Sequence, residues 1–267
     1  MSRIQQTLED IRRNGKKALV PFLTAGDPDV PTTVELIHAL IESGADLIEL
    51  GMPFSDPMAD GPTIQAASER ALAAGTTVAD VLDIVRTVRR NSNVPIVLMG
   101  YYNPVFHYGP GRFAADAADA GVDGLLLVDL PPEEAGEIHS DLKRAGIDLI
   151  TLLAPTTPEA RMAELAGVAE GYLYYVSMTG VTGSQKVDAD AIEAAVRKVQ
   201  EKSRVPVAVG FGISTGADAA AVGAFADAVV VGSALVKIIE AHGKSADLLP
   251  RVKAFISSLK EGISKAA

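Results

Sequence analysis

The stretch Ala18-Leu19-Val20-Pro21-Phe22-Leu23-Thr24-Ala25, a helical pattern over Thr32–Glu42, and then Asp46-Leu47-Ile48-Glu49-Leu50-Gly51-Met52 read as one strand–helix–strand unit. Both apolar runs are continuous rather than alternating, as parallel strands covered on both faces require. The signature recurs at Val94–Tyr101, Gly124–Leu130, Asp148–Ala154, Gly171–Ser177, Pro206–Phe211 and Ala228–Gly232. Helical patterns lie between these runs over Val78–Arg90, Pro132–Arg144, Pro158–Val168, Ala189–Lys202 and Thr215–Val222. Such alternation specifies right-handed βαβ units and a parallel sheet. Eight units of about thirty residues predict a closed (β/α)8 TIM barrel rather than an open doubly wound sheet. Turn glycines Gly44, Gly121 and Gly146 stop helices before the next strand. A polar helix over Ser2–Arg13 precedes the first strand and is expected to cap the barrel floor. No linker or composition break interrupts the chain, so residues 1–267 read as a single domain.

Composition narrows the function. The chain has 267 residues, 48% of them hydrophobic, with few aromatics and no Trp, so Val, Ile, Leu and Ala must build the core. A formal net charge of −10 disfavours nucleic acid and anionic lipid as partners. An anionic substrate would have to be held largely by backbone N–H groups. The absence of cysteine excludes a disulfide framework, a thiolate metal site and a cysteine nucleophile. With a charged amino end and no apolar run of membrane-spanning length, the expectation is a cytoplasmic protein.

Glycine-rich turns follow the sixth, seventh and eighth runs: Gly180-Val181-Thr182-Gly183, Gly210-Phe211-Gly212-Ile213-Ser214 and Gly232-Ser233-Ala234. Glycine lets backbone approach a ligand closely, and a helix N-terminus offers free N–H groups. The turns after strands seven and eight lie where barrels commonly hold phosphate. The alternative is that these glycines serve only as turns, and that Ser233 only caps a helix.

Glu49 sits within Leu47-Ile48-Glu49-Leu50, near the carboxyl end of the second strand, the face on which barrel active sites are built. Burial raises a carboxyl pKa toward values useful for acid–base catalysis, although some barrels bury carboxylates structurally. The segment Pro53-Phe54-Ser55-Asp56-Pro57-Met58-Ala59-Asp60-Gly61-Pro62 is stiffened by prolines and adds Asp60 and Asp56 as candidates; either residue also suits a turn. Asp129 ends the fourth strand and reads equally as site-lining or structural. Long connections after the second strand (Pro53 to Thr77) and the sixth (Met178 to Asp188) are candidate lids. No strand contains a lysine suited to Schiff-base chemistry, and His38, His107, His139 and His242 have no metal-ligand spacing. Neither GxSxG nor a Walker loop occurs. Carboxylate acid–base chemistry in a lyase or isomerase remains.

Pro21-Phe22-Leu23-Thr24-Ala25-Gly26-Asp27-Pro28, the segment from Glu49 to Gln65, Tyr101-Tyr102-Asn103-Pro104, Ser177 with the turn at Gly180–Gly183, and Val209–Ser214 together resemble the tryptophan synthase alpha family. The resemblance covers essentially the whole chain. It implies retro-aldol cleavage of indole-3-glycerol phosphate to indole and D-glyceraldehyde 3-phosphate. By the same resemblance Glu49 is the general acid–base, and Asp60 accepts the indole N–H. Phe22 and Tyr101 line the indole pocket, and Tyr174 matches the family tyrosine near the active glutamate. Gly183, Gly212, Gly232 and Ser233 donate to phosphate, and Thr182 bonds Asp60 as the sixth loop closes. A beta subunit carrying pyridoxal phosphate is implied as partner in an αββα heterotetramer, facing Pro53, Asp56 and Pro57. No cofactor or metal is implied in this chain. One departure is Met178-Thr179, where some members have Arg-Ala; it bears on closure of the lid and on coupling between the two sites. Another phosphate-binding barrel would not explain the Asp56–Asp60 loop. A catalytically dead partner would be expected to lack Glu49 or Asp60. A stand-alone indole-producing enzyme is a further alternative.

Overall fold

The apolar runs form the strands, and their residues divide alternately between two cores. In the computed structural model, residues 1–176, 189–210 and 212–265 are described. The strands are β1 (Ala18–Thr24), β2 (Ile48–Gly51), β3 (Ile96–Gly100), β4 (Gly124–Leu127), β5 (Asp148–Leu149), β6 (Thr151–Leu153), β7 (Leu173–Val176), β8 (Val207–Gly210) and β9 (Ala228–Val231). All pairings are parallel, in the order β5-β4-β3-β2-β1-β9-β8-β7-β6. The two ends of that order are one barrel strand. β5 pairs with β4, β6 pairs with β7, and the residue between them, Ile150, donates its N–H to Leu125 O at 2.8 Å. The nine strand pieces are therefore the eight staves of a closed TIM barrel, with the fifth interrupted at Ile150.

The helices are α1 (Arg3–Arg13), α2 (Val30–Glu42), α3 (Pro62–Ala73), α4 (Val78–Arg89), α5 (Tyr102–Tyr108), α6 (Pro110–Ala120), α7 (Gly136–Ala145), α8 (Glu159–Val168), α9 (Ala189–Lys202), α10 (Gly216–Gly223), α11 (Ser233–His242) and α12 (Leu248–Ser264). Most predicted helices agree to within a few residues. The segment from Pro53 to Thr77 differs, because α3 occupies twelve residues of what reads as a long connection. Pro62 at its first turn supplies a helix start that loop-like composition concealed. The predicted lid at Met178–Asp188 lies outside the described residues. Gly121 and Gly146 end α6 and α7 in the left-handed region, at φ 90° and 74°, where glycine has no Cβ penalty.

Strand parity sorts the core. Leu19, Leu23, Ile48, Leu50, Leu98 and Leu125 face outward against the helices. Ala18, Val20, Leu47, Val97, Leu126, Ile150, Tyr172 and Tyr174 face inward. Ile4 and Leu8 of α1 belong to this inner cluster and close the barrel floor. α1 is fixed there by the ion pair of Arg3 with Asp123 and by the hydrogen bond from Ser2 to Asp148. Asp123 also pairs with Arg89 and accepts the Ile96 N–H at 2.8 Å, so the buried charge at this end is fully partnered.

On the outer layer α10 and α12 cross with their backbones in contact. A Cβ at Gly262 would lie 2.1 Å from Gly216 O, with no flexible side chain able to yield. Gly262→Ala is expected to cost about 1–3 kcal/mol through overpacking, lowering Tm by roughly 3–10 °C for a chain of this size. Gly167→Ala is the comparison, since nothing lies within 4 Å of a Cβ there; on helix α8 it should hold or raise Tm. Thermal unfolding of the two variants checks the contrast.

Candidate active site

Glu49 shares the inward parity of Leu47 and pairs across the sheet with Phe22 on β1. It is fully buried. The Tyr172 hydroxyl donates to Glu49 Oε1 at 2.6 Å, whereas Oε2 has no partner among the described residues. Burial pushes the Glu49 carboxyl up to about 7, opposed by the Tyr172 hydrogen bond, which favours the anion. The carboxyl therefore exchanges a proton near neutrality and keeps one oxygen free to do so.

Tyr172 is a residue that the sequence reading did not single out. Tyr174, the tyrosine taken as the neighbour of Glu49, is two residues along on the same inward row. Burial raises its phenol well above the ordinary value, and the charges of Glu49 and Asp60 add to this. Its hydroxyl lies where a Cβ on Gly210 would be, 2.2 Å away, which explains a glycine at that strand end. Two-residue periodicity from Tyr174 back to Tyr172 was the available signal.

Asp60 is held by the loop before α3. Its N–H donates to Pro57 O at 3.0 Å, and the Gln65 amide donates to Asp60 O at 2.8 Å and Pro57 O at 3.3 Å. The Ala59 N–H donates to the Tyr101 hydroxyl at 2.9 Å, and that hydroxyl donates to the Asp60 carboxylate. Burial pushes Asp60 up to about 6, with the Tyr101 bond pulling down. Phe54 stacks on Tyr101 with ring centroids 5.2 Å apart, bracing the loop from the other side. Tyr101 thus anchors the loop as well as lining the cleft. The cleft is walled by Phe22, Met99, Tyr101, Ile64, Val128 and Asp60.

Beside Phe22, Gly232 and Ser233 begin α11. Gly232 is its N-cap without a side-chain cap, and no acidic residue occupies its first turn. These backbone N–H groups and the positive end of the helix dipole are suited to a phosphate. The helix after the Gly212 turn is different. Thr215 and Asp218 form a capping box, and Asp218 also accepts from the Ser214 N–H at 3.1 Å, so the α10 start already holds a carboxylate. Gly212, at φ 38°, remains exposed at the turn itself. Thr182 and Gly183 lie outside the described residues, as does Phe211.

Of the loop residues expected at a partner surface, Asp56 is exposed, Pro57 half-buried and Pro53 buried. Met58 beside them is 86% exposed, and Phe106 on α5 is 63% exposed. Asp129 accepts the Tyr102 N–H at 2.8 Å and so caps the start of α5, which favours its structural reading. Among the described residues no group of three His, Asp or Glu is placed to hold a metal ion, and no helix is long and apolar enough to cross a membrane.

A family model described as tryptophan synthase alpha chain matches residues 8–264. The tryptophan synthase alpha chain of Geobacter sulfurreducens is 57% identical over 263 residues, which are 98% of this chain and 99% of that one. The crystal structure of tryptophan synthase subunit alpha from Legionella pneumophila has a TM-score of 0.92 at 46% identity, with 99% of each chain covered. A chain in the crystal structure of tryptophan synthase from M. tuberculosis, in an open form, has a TM-score of 0.88 at 37% identity, with 98% of each covered. On these grounds the chain belongs to the tryptophan synthase alpha chain family, lyases that cleave indole-3-glycerol phosphate in tryptophan biosynthesis.

Proposed function

We propose that this site performs the cleavage by carboxylate acid–base catalysis, with Glu49 moving the proton and Asp60 holding the indole nitrogen. The observation that carries the reading is the buried Glu49 carboxyl, whose Oε2 has no partner among the described residues and whose pKa is pushed up to about 7. Protonated Glu49 delivers its proton to indole C3. The positive charge that develops on the ring nitrogen is stabilised by ionised Asp60, which accepts the N–H. The Glu49 carboxylate then removes the proton from the glycerol hydroxyl as the C–C bond breaks. Its electron pair restores the indole, and the former alcohol carbon becomes the aldehyde of glyceraldehyde 3-phosphate. Glu49 ends as it began, protonated. Phe22 and Tyr101 flank the indole, and Tyr174 packs beside Glu49.

Phosphate is held by Gly212, Gly232 and Ser233. The uncapped α11 start supports this assignment, and Gly183 would join them by resemblance. Thr182 is assigned to Asp60 on the same basis. The partner is a beta subunit bearing pyridoxal phosphate, in an αββα heterotetramer, with none of that cofactor bound in this chain. Pro53, Asp56 and Pro57 contribute to the contact. The exposed Met58 alongside them gives this loop apolar surface suited to a protein partner. We place the reaction in the cytoplasm, in one catalytic domain spanning residues 1–267.

The direct test is indole release from indole-3-glycerol phosphate by the purified chain, alone and with added beta subunit. Slow release that rises with the partner and is lost in Glu49→Gln supports the reading. Fast release without a partner points to a stand-alone enzyme. No release under either condition, with phosphate analogues still binding, overturns it.

The two pKa values give a sign-defined pH profile. Activity needs Asp60 ionised, above about 6, and Glu49 protonated, below about 7. The profile of kcat/KM for the chain is therefore a narrow bell with limbs near those values, and Asp60→Asn removes the acid limb. Tyr172→Phe deletes a hydrogen bond to the Glu49 anion, so the alkaline limb moves upward by about one pH unit.

Stability follows the same group. Folded Glu49 binds a proton between pH 4.5 and about 7, whereas the unfolded chain does not, so stability falls as pH rises through that window. The shift corresponds to about 3 kcal/mol. Glu49→Gln should flatten this dependence and be the more stable protein at pH 8, measured by denaturant unfolding at pH 5 and pH 8.

A further inference from the structure

Among the described residues two buried side-chain oxygens lack a hydrogen-bond partner within the protein: Glu49 Oε2 and Thr24 Oγ1. The proposed reaction uses the first and leaves the second unexplained. Thr24 is the last residue of β1, paired with Gly51, and is 2% exposed. A buried hydroxyl left without a partner costs about 1–3 kcal/mol, and valine would fill the same volume without that cost. The indole of the substrate offers one polar atom, its N–H, which the proposed mechanism assigns to Asp60.

The surroundings of Thr24 identify a partner of a different kind. Thr24, Ser68 of α3, Asp60 and Tyr101 line the same cleft. Ser68 is 4% exposed. A buried water is retained where two to four polar neighbours surround it, and Thr24, Ser68 and Asp60 supply three. Apolar side chains from β1, β3 and α3, namely Phe22, Met99 and Ile64, form the adjacent walls.

We propose that Thr24 and Ser68 hold one buried water against the Asp60 carboxylate, making Thr24 a positioning residue that acts on Asp60 through that water. This rests on the role of Asp60 proposed above. The Thr24 hydroxyl donates to the water. The water donates one hydrogen to an Asp60 oxygen and the other to Ser68 Oγ. Asp60 then receives two donors, Tyr101 from the end of β3 and the water from the β1–α3 side. Both favour its anion and fix its direction. The remaining titratable groups around it among the described residues are Tyr174 on β7, which feels its charge, and Glu49 on the inward row of β2. Neither donates to it.

Thr24→Val and Thr24→Ser, compared with the unaltered chain and with Asp60→Asn, test this. Three readouts are taken: the pH profile of kcat/KM for indole release, Tm, and a high-resolution crystal structure. Thr24→Val is expected to move the acid limb upward by about one pH unit and to lower kcat/KM about fivefold at pH 6. Thr24→Ser, which keeps the hydroxyl, restores both. Density for a water bonded to Thr24 and Asp60 is expected in the unaltered chain and absent in Thr24→Val. If Thr24→Val raises Tm and leaves the pH profile unchanged, the hydroxyl has no partner and the proposal is overturned. A rise in KM at every pH with unmoved limbs means direct contact with substrate, and also overturns it. Should Asp60→Asn retain both activity and the acid limb, the catalytic assignment of Asp60 fails; the crystal structure still reports whether the water is there.

Discussion

A carboxyl group at the mouth of an apolar barrel, bonded through one oxygen and free at the other, sets the terms for the rest of this structure. Glu49 keeps that position because strand parity turns it inward between Phe22 and Val97, while its outward neighbours Ile48 and Leu50 pack beneath the helices. With Ile4 and Leu8 of α1 filling the barrel floor, the carboxyl is cut off from solvent below. Its proton affinity rises for that reason, and the Tyr172 hydroxyl limits how far. A stronger set of donors would drop Glu49 back to an ordinary carboxylate and remove the acid. Without that one donor the carboxyl would hold its proton further into the alkaline range.

The two ends of the barrel treat buried polar groups in opposite ways. Below, Asp123 is matched by Arg3, Arg89 and the Ile96 N–H, and Asp46 by Lys260 and the Leu19 N–H. Beside the mouth, Arg70 holds the buried Asp27 through two bonds of 2.9 Å and reaches Glu240 of α11, tying together the loop after β1, α3 and the helix assigned to phosphate. Within the mouth itself, Glu49 and Thr24 each keep an oxygen without a partner among the described residues. Stability is concentrated where no ligand goes, and unsatisfied capacity where one does. The same division separates two similar glycine turns: α10 begins on its own Asp218, whereas the α11 start at Gly232 is left uncapped.

The barrel was legible because parallel strands and their helices repeat, and because buried strands carry unbroken Val, Ile and Leu runs. What was hidden had local causes. α3 was obscured because its approach is rich in proline and aspartate, although Pro62 is a favourable first-turn residue. The split of the fifth strand at Ile150 left no mark, since no glycine or proline interrupts the run from Asp148 to Ala154. Glu49 stood out as a charge inside an apolar run, whereas Tyr172 and Thr24 did not, being ordinary strand residues whose importance comes from what they face. Asp60 was nameable from its loop, but its anchorage by Tyr101 and Gln65 joins residues well apart in the chain. Long-range hydrogen bonds of that kind follow from closure of the barrel and cannot be read from spacing.

Burial, tempered by one tyrosine, sets Glu49 to exchange a proton near neutrality. Direct titration of that carboxyl tests it, by carbon-13 NMR of the chain with labelled glutamate and assignment from Glu49→Gln. A single carboxyl resonance, lost in the variant, is expected to titrate near pH 7. A Glu49 resonance that titrates in the ordinary range near pH 4.5 would contradict it.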